Sequence, residues 1–230
     1  MLTPLESEAL LLSLRVGLVS VIFSLPLGLA VAWLLARREF PGKTLLNGIV
    51  HLPLVLPPVV VGFALLVIFG RNGVAGSWLY ETFGITFAFN WKGAALASAV
   101  MAFPLMMRAM RLSLENVDRR LEAAARTLGA GRMKVFATIT LPLMLPGILT
   151  GAILAFARSV GEFGATITFV SNIPGETRTL PLALYVLTQV PGGDQAAWRL
   201  TAISVALAMA ALIASELVAR RIDRRIRGAG

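Results

Sequence analysis

The sequence predicts an all-α protein, a polytopic transmembrane bundle of about five spans. Three observations predict it. The 230 residues are 57% hydrophobic and only 14% charged, against about 45–50% and about 25% for soluble domains, and mean hydropathy is +0.80. Apolar runs of membrane-crossing length recur along the chain. Lys and Arg gather after alternate runs instead of spreading evenly. The charge density is too low for a disordered chain, and the length suits one domain, residues 1–230. There are no cysteines and a single histidine, His51. That excludes disulfides, thiolate metal sites, Cys nucleophiles and paired-His zinc sites. The net charge of +9 would suggest nucleic acid in a soluble chain. Here the basic residues border apolar runs, so they read as topology and no nucleic-acid partner is expected.

The expected spans are residues 16–36, 49–69, 85–107, 135–159 and 200–218. The first is a retained span and not a signal peptide: Glu6 and Glu8 precede it, the run is too long for an h-region, and no A-x-A exit follows. Arg37, Arg38 and Lys43 follow span one. Arg108, Arg111, Arg119, Arg120, Arg126, Arg132 and Lys134 follow span three, and Arg220, Arg221, Arg224, Arg225 and Arg227 follow span five. Arg15, Arg71, Lys92, Arg158, Arg178 and Arg199 fall near the opposite ends. Positive charge stays cytoplasmic, so the N-terminus is expected outside and the C-terminus inside.

Span two holds Pro53, Pro57 and Pro58, span three Pro104, and span four Pro142 and Pro146. Proline removes a donor and clashes with the preceding turn, so kinked helices are expected, with freed carbonyls satisfied by neighbours. Gly147-Ile-Leu-Thr-Gly151, extended by Ala152 and Ala155, is a small-residue surface for close helix packing. Gly42-Lys43-Thr44 is not a P-loop, because Arg37 stands where the pattern needs glycine. His51 is expected to be a packed or interfacial histidine. No catalytic residues and no metal site are expected, and the scarcity of ionisable residues within the spans argues against a proton-coupled carrier.

Two stretches outside the spans carry the functional expectation. Residues 108–134 form the largest cytoplasmic segment. Asp118 is placed to cap a helix, Leu121, Ala124, Ala125 and Leu128 follow at helical spacing, and Gly129 and Gly131 end it. This amphipathic helix of about two to three turns suits either a groove on another protein or the lipid surface. Residues 161–193 form an outer loop rich in Gly, Thr and Pro, with a turn at Asn172–Gly175 and a short helix near Pro181–Val190. Ser159, Glu162, Thr166, Thr168, Ser171 and Arg178 are the candidate path or gate residues, Glu162 pairing with Arg158 one turn earlier. The same stretch also suits a cap that seals the bundle.

The cytoplasmic segment reads Glu122-Ala-Ala-Ala-Arg-Thr-Leu-Gly129, then Ile139-Thr-Leu141-Pro142. It resembles the EAA loop of permease subunits in binding-protein-dependent ABC importers. The tail of the motif matches in register, and the head is displaced by one, with Ala123 at the motif's Glu position. Phe40-Pro-Gly-Lys43, the run His51–Gly62, Phe103–Arg108 and Phe156–Thr179 resemble the membrane subunits of molybdate importers over most of the chain. Sulfate permeases share the Gly-Glu-Phe-Gly stretch and are the nearest alternative. A passive channel or structural membrane protein is the alternative of a different class.

The resemblance implies a type I importer permease fold in a prokaryotic cytoplasmic membrane, dimerising with a second copy around an oxyanion path. It implies two copies of a separate ABC ATPase, which would hold ATP and Mg, and an extracytoplasmic molybdate-binding protein; this chain itself would bind no cofactor. It also implies that Arg119, Leu121, Glu122, Ala123, Ala124, Ala125, Arg126, Thr127, Leu128, Gly129 and Ala130 form the coupling element against the ATPase.

Overall fold

The computed structural model of the chain describes residues 3–227, which are helical almost throughout. The side chains of Arg224, Arg225 and Arg227, used in the charge argument, lie outside what it describes.

The first helix, α1 (Pro4–Arg37), starts well before the expected residue 16. Thr3 and Glu6 close a capping box: Thr3 Oγ1 accepts from Glu6 N at 3.3 Å, and Thr3 N donates to Glu6 Oε2 at 2.7 Å. Span two is broken. Its residues form α2 (Lys43–Val55) and α3 (Pro58–Phe69), whose axes differ by 116°. The Pro57-Pro58 pair is the cause: Leu56 is held extended at ψ 144°, and neither proline donates a helical hydrogen bond. A short helix that the expected spans do not include, α4 (Val74–Phe83), follows α3.

The central helix α5 (Trp91–Glu115) begins six residues later than expected. Asn90 caps it, accepting from Lys92 N at 2.8 Å, so Lys92 belongs to the first turn. Its C-terminal end takes in Arg108–Glu115, which the sequence reading placed in the cytoplasmic segment. Ala94, Ala97, Met101, Met106, Met107, Met110 and Leu114 are buried along it.

After α6 (Arg119–Thr127), α7 (Arg132–Val135) runs without interruption through a π-helical turn (Phe136–Thr140) into α8 (Leu141–Val160). The extra residue of the π turn lies just before Pro142, which cannot donate to the preceding turn. α8 packs on α5 through the small-residue surface. A Cβ on Gly147 would stand 2.2 Å from Ser113 Cβ, and one on Gly151 2.9 Å from the Met106 carbonyl. The Gly-x-x-x-Gly is thus used within the chain.

The expected outer loop contains two more short helices, α9 (Gly164–Val170) and α10 (Leu180–Leu187). α9 lies against α3 so closely that a Cβ on Gly62 would approach the Ala165 carbonyl to 2.5 Å. The N–H of Leu180, at the start of α10, donates to Ser13 Oγ of α1 at 2.7 Å. The last helix, α11 (Asp194–Arg227), packs on α8, and Arg199 reaches Glu6 Oε1 at 2.8 Å to tie it to the start of α1. Among the described residues, four helices, or five counting the bent α2–α3 pair as one, are long and apolar enough to cross a membrane.

Candidate functional site: a docked surface helix and a polar crevice

The strongest local signal in the sequence folds as a separate short element at the basic end of the bundle. Asp118 caps α6, its carboxylate accepting from Arg120 N at 2.8 Å. The helix ends at Leu128, and Gly129 takes φ +83°. Gly129 N donates to the Arg126 carbonyl and Ala130 N to the Ala125 carbonyl, each at 3.0 Å. Those two bonds are the Schellman pattern, so the glycine is required by backbone conformation.

What holds α6 to the bundle is mainly polar. Glu122 Oε1 accepts from Arg37 Nη2 at 2.9 Å and from Thr140 Oγ1 at 2.8 Å. The Arg37 and Glu122 side chains are 10% and 12% exposed, and Thr140 is buried. Glu122 therefore joins the end of α1, α6 and the π turn, an ion pair that the motif's displaced head gives no reason to expect. Its neighbours point outward: Leu121 is 49% exposed, Leu128 88% and Met133 79%, while Arg119, Ala123, Ala124, Arg126 and Thr127 are also exposed. Leu121 and Leu128, seven residues apart, and Met133 of α7 are thus exposed apolar side chains among the exposed Arg119, Arg120 and Arg126.

The second set of expected residues gathers where α8 ends. Ser159 Oγ lies 2.9 Å from Ser20 Oγ of α1, both buried. A Cβ on Gly17 would meet the Phe156 ring at 3.0 Å and Val160 at 3.2 Å. The last turn of α8 thus sits beside residues 17–20 of α1. Ser20 is five residues further into α1 than Arg15, about 8 Å, and Arg15 stacks on the Trp91 ring at 3.7 Å. Arg158 precedes Ser159 by one residue on α8, so its backbone lies beside residue 20 of α1, while Glu162 lies three residues nearer the Arg15 end. Their ion pair is present, Arg158 Nη1 to Glu162 Oε2 at 2.7 Å, with side chains 31% and 1% exposed. Glu162 Oε1 also accepts from Ala165 N at 2.9 Å, holding the start of α9.

The remaining donors have mixed surroundings. Thr168 Oγ1 donates to the Gly164 carbonyl at 2.9 Å, and Arg178 Nε to Asn172 Oδ1 at 2.9 Å. Ser171 is exposed at φ +64°, and its carbonyl accepts from Thr177 Oγ1 at 3.3 Å. Thr166 Oγ1 and Ser98 Oγ are buried with no partner among the described residues. His51 Nδ1 lies 2.8 Å from the Asn47 carbonyl in its own helix. No group of three or more His, Cys, Asp and Glu suited to a metal occurs among the described residues.

Comparison with known proteins gives a consistent answer. Residues 24–228 match the family described as "Binding-protein-dependent transport system inner membrane component". The chain is 66% identical to the Escherichia coli (strain K12) molybdenum transport system permease protein ModB, over 95% of this chain and 96% of that one. It is 57% identical to the Haemophilus influenzae protein of the same name, over 96% and 97%. The E. coli sulfate transport system permease protein CysT is 36% identical, over 91% of this chain and 75% of that one. Among solved structures, a bacterial alginate ABC transporter bound to its periplasmic protein superposes with a TM-score of 0.74 at 17% identity, over 96% of this chain and 80% of that one. The methionine transporter MetNI, in an inward-facing conformation, gives 0.72 at 19%, over 96% and 99%. These two share the fold.

Proposed function

Since the chain belongs to the family of binding-protein-dependent transport system inner membrane components, a multi-pass membrane permease with the type I importer fold, we propose that it forms the translocation path for molybdate, and for tungstate of the same shape and charge. The observation that carries this reading is the 66% identity, over nearly the whole of both chains, to a molybdenum permease. A sulfate permease at 36% is much more distant.

In this reading two copies of the chain enclose the path. Two copies of a separate ABC ATPase dock at the basic end and hold ATP and Mg, while an extracytoplasmic binding protein delivers the oxyanion from the other side. Charge supports the orientation: Arg37, Arg38, Arg111, Arg119, Arg120, Arg126, Arg132 and Lys134 cluster at the α6 end. The exposed Leu121, Leu128 and Met133 supply the apolar patch for a groove on the ATPase. ATP-driven closure of the ATPases draws the two α6 helices together, and the Glu122–Arg37 pair passes that movement to α1. The ligand biases a two-state equilibrium.

Co-purification tests the docking arm. A tagged chain co-expressed with its ATPase retains it, and Leu128→Asp with Leu121→Asp releases it while the subunit stays in the membrane. Undiminished co-purification by that double variant would remove α6 as the docking element.

A further inference from the structure

We infer that Arg158 is a contact for the tetrahedral oxyanion inside the membrane, with Glu162 setting how tightly it holds. The inference rests on the oxyanion-path reading above.

Most of the candidate path groups are already engaged within the chain. Ser159 is bonded to Ser20, Thr168 to a carbonyl of its own helix, and Arg178 to Asn172. Arg158 differs. One of its amino groups meets Glu162 at 2.7 Å, and no partner for its other nitrogens is found among the described residues. Its side chain is 31% exposed, and its backbone, beside residue 20, lies about 8 Å along α1 from Arg15. On a helix that spans the membrane, a guanidinium exposed at this position faces a wet cavity or a protein partner, because contact with hydrocarbon is costly. The free part of the planar fork matches the spacing of two oxygens on one anion.

The surroundings suit a ligand crevice. A Cβ on Gly164 would meet Pro58 Cβ at 2.7 Å, so α9 begins beside the α2–α3 break. Interrupted helices meeting within the bilayer are the recurrent setting of substrate sites in transporters. Ala165 N donates to Glu162 Oε1, which holds the carboxylate in place; its Oε2 stands 2.7 Å from Arg158 Nη1 as an ion pair without hydrogen-bond alignment. The pair is neutral overall. An unbalanced guanidinium at this depth would hold a dianion too firmly for a conduit, whereas the paired one offers directed N–H donors with little net attraction.

The test uses the assembled complex of this chain with its ATPase, in three variants: Arg158→Lys, Glu162→Gln, and the neutral double variant Arg158→Gln/Glu162→Gln, which leaves no buried charge alone. Equilibrium dialysis with labelled molybdate, without binding protein, reads retention. Proteoliposome uptake with binding protein reads transport. Glu162→Gln should retain the anion roughly tenfold more tightly than wild type, and the double variant should lose that gain and transport roughly tenfold more slowly or worse. Arg158→Lys, keeping charge without the fork, should fall between wild type and the double variant in uptake. Wild-type uptake by the double variant, or equal retention by it and Glu162→Gln, overturns the inference. Cargo is decided separately by the wild type. If that complex carries sulfate and not molybdate, the molybdate reading fails while the variant ratios still test Arg158 with sulfate. If it carries neither, both readings fall.

Discussion

Breaking the Glu122–Arg37 pair should release α6 without unfolding the bundle. Both side chains are about nine-tenths buried and 2.9 Å apart, and Glu122 also accepts from Thr140. Removing one partner of a buried pair costs roughly 3–5 kcal/mol, because the other charge is stranded. At this exposure Glu122→Ala belongs at the lower end, about 3 kcal/mol, which is roughly a hundredfold shift in the docking equilibrium of α6. Glu122→Gln keeps an acceptor for Thr140 and should cost about half as much. Arg37→Ala strands Glu122 and should match Glu122→Ala. The double variant strands no charge, leaving only the Thr140 hydroxyl without its acceptor, and should cost clearly less than the two singles together. The assay is amide hydrogen exchange over residues 119–128 in the lipid-reconstituted permease, with α5 peptides as the internal control. Faster exchange confined to α6 in both singles, with recovery in the double, fits the account. Additive singles, or exchange rising equally in α5, would refute the claim that this pair is a local strut.

Three further outcomes follow from named contacts. Gly129→Ala should weaken the end of α6 by about 1 kcal/mol, since φ is +83° and open space surrounds the position; Gly129→Asp should abolish uptake with normal membrane insertion, read by transport and immunoblot, while Gly131→Ala, also in open space, should be silent. Gly147→Ala should lower the detergent unfolding temperature by several degrees, because its methyl would stand 2.2 Å from Ser113 Cβ; an unchanged midpoint would mean that α5 and α8 separate without cost. Asp118→Ala should speed exchange in the first turn of α6, a loss of about 1 kcal/mol, and leave Gly129 N and Ala130 N protected.

Much of α6 was legible because its determinants are local. Asp118 before the helix and Gly129 after it are each set by the backbone within a few residues. The Gly147–Gly151 surface was legible for the same reason, since small residues at that spacing make a groove whatever fills it. The start of α1 was also written locally, in Thr3-Pro4-Leu5-Glu6, but hydropathy begins later than the cap and drew the expected boundary inward. Direction was harder. Residues 49–69 are one apolar run, and hydropathy does not register that Pro57-Pro58 turns the axis by 116°. The outer segment hid two helices because its apolar residues are short runs split by Gly, Pro and Thr, and α9 is defined by contact with α3, not by its own periodicity. Least legible was Glu122, whose partner Arg37 stands 85 residues away. No local rule pairs them, whereas Arg158 and Glu162, one helical turn apart, could be paired on spacing alone.

The most direct test of the central claim is uptake of radioactive molybdate by cells that lack their own high-affinity system and express this chain with its ATPase and binding protein. Excess tungstate and excess sulfate are added to separate samples. The account predicts uptake that tungstate suppresses and sulfate leaves intact. Uptake suppressed by sulfate would move the chain to the sulfate permeases with its architecture unchanged, and no uptake by the assembled complex would contradict the oxyanion path itself.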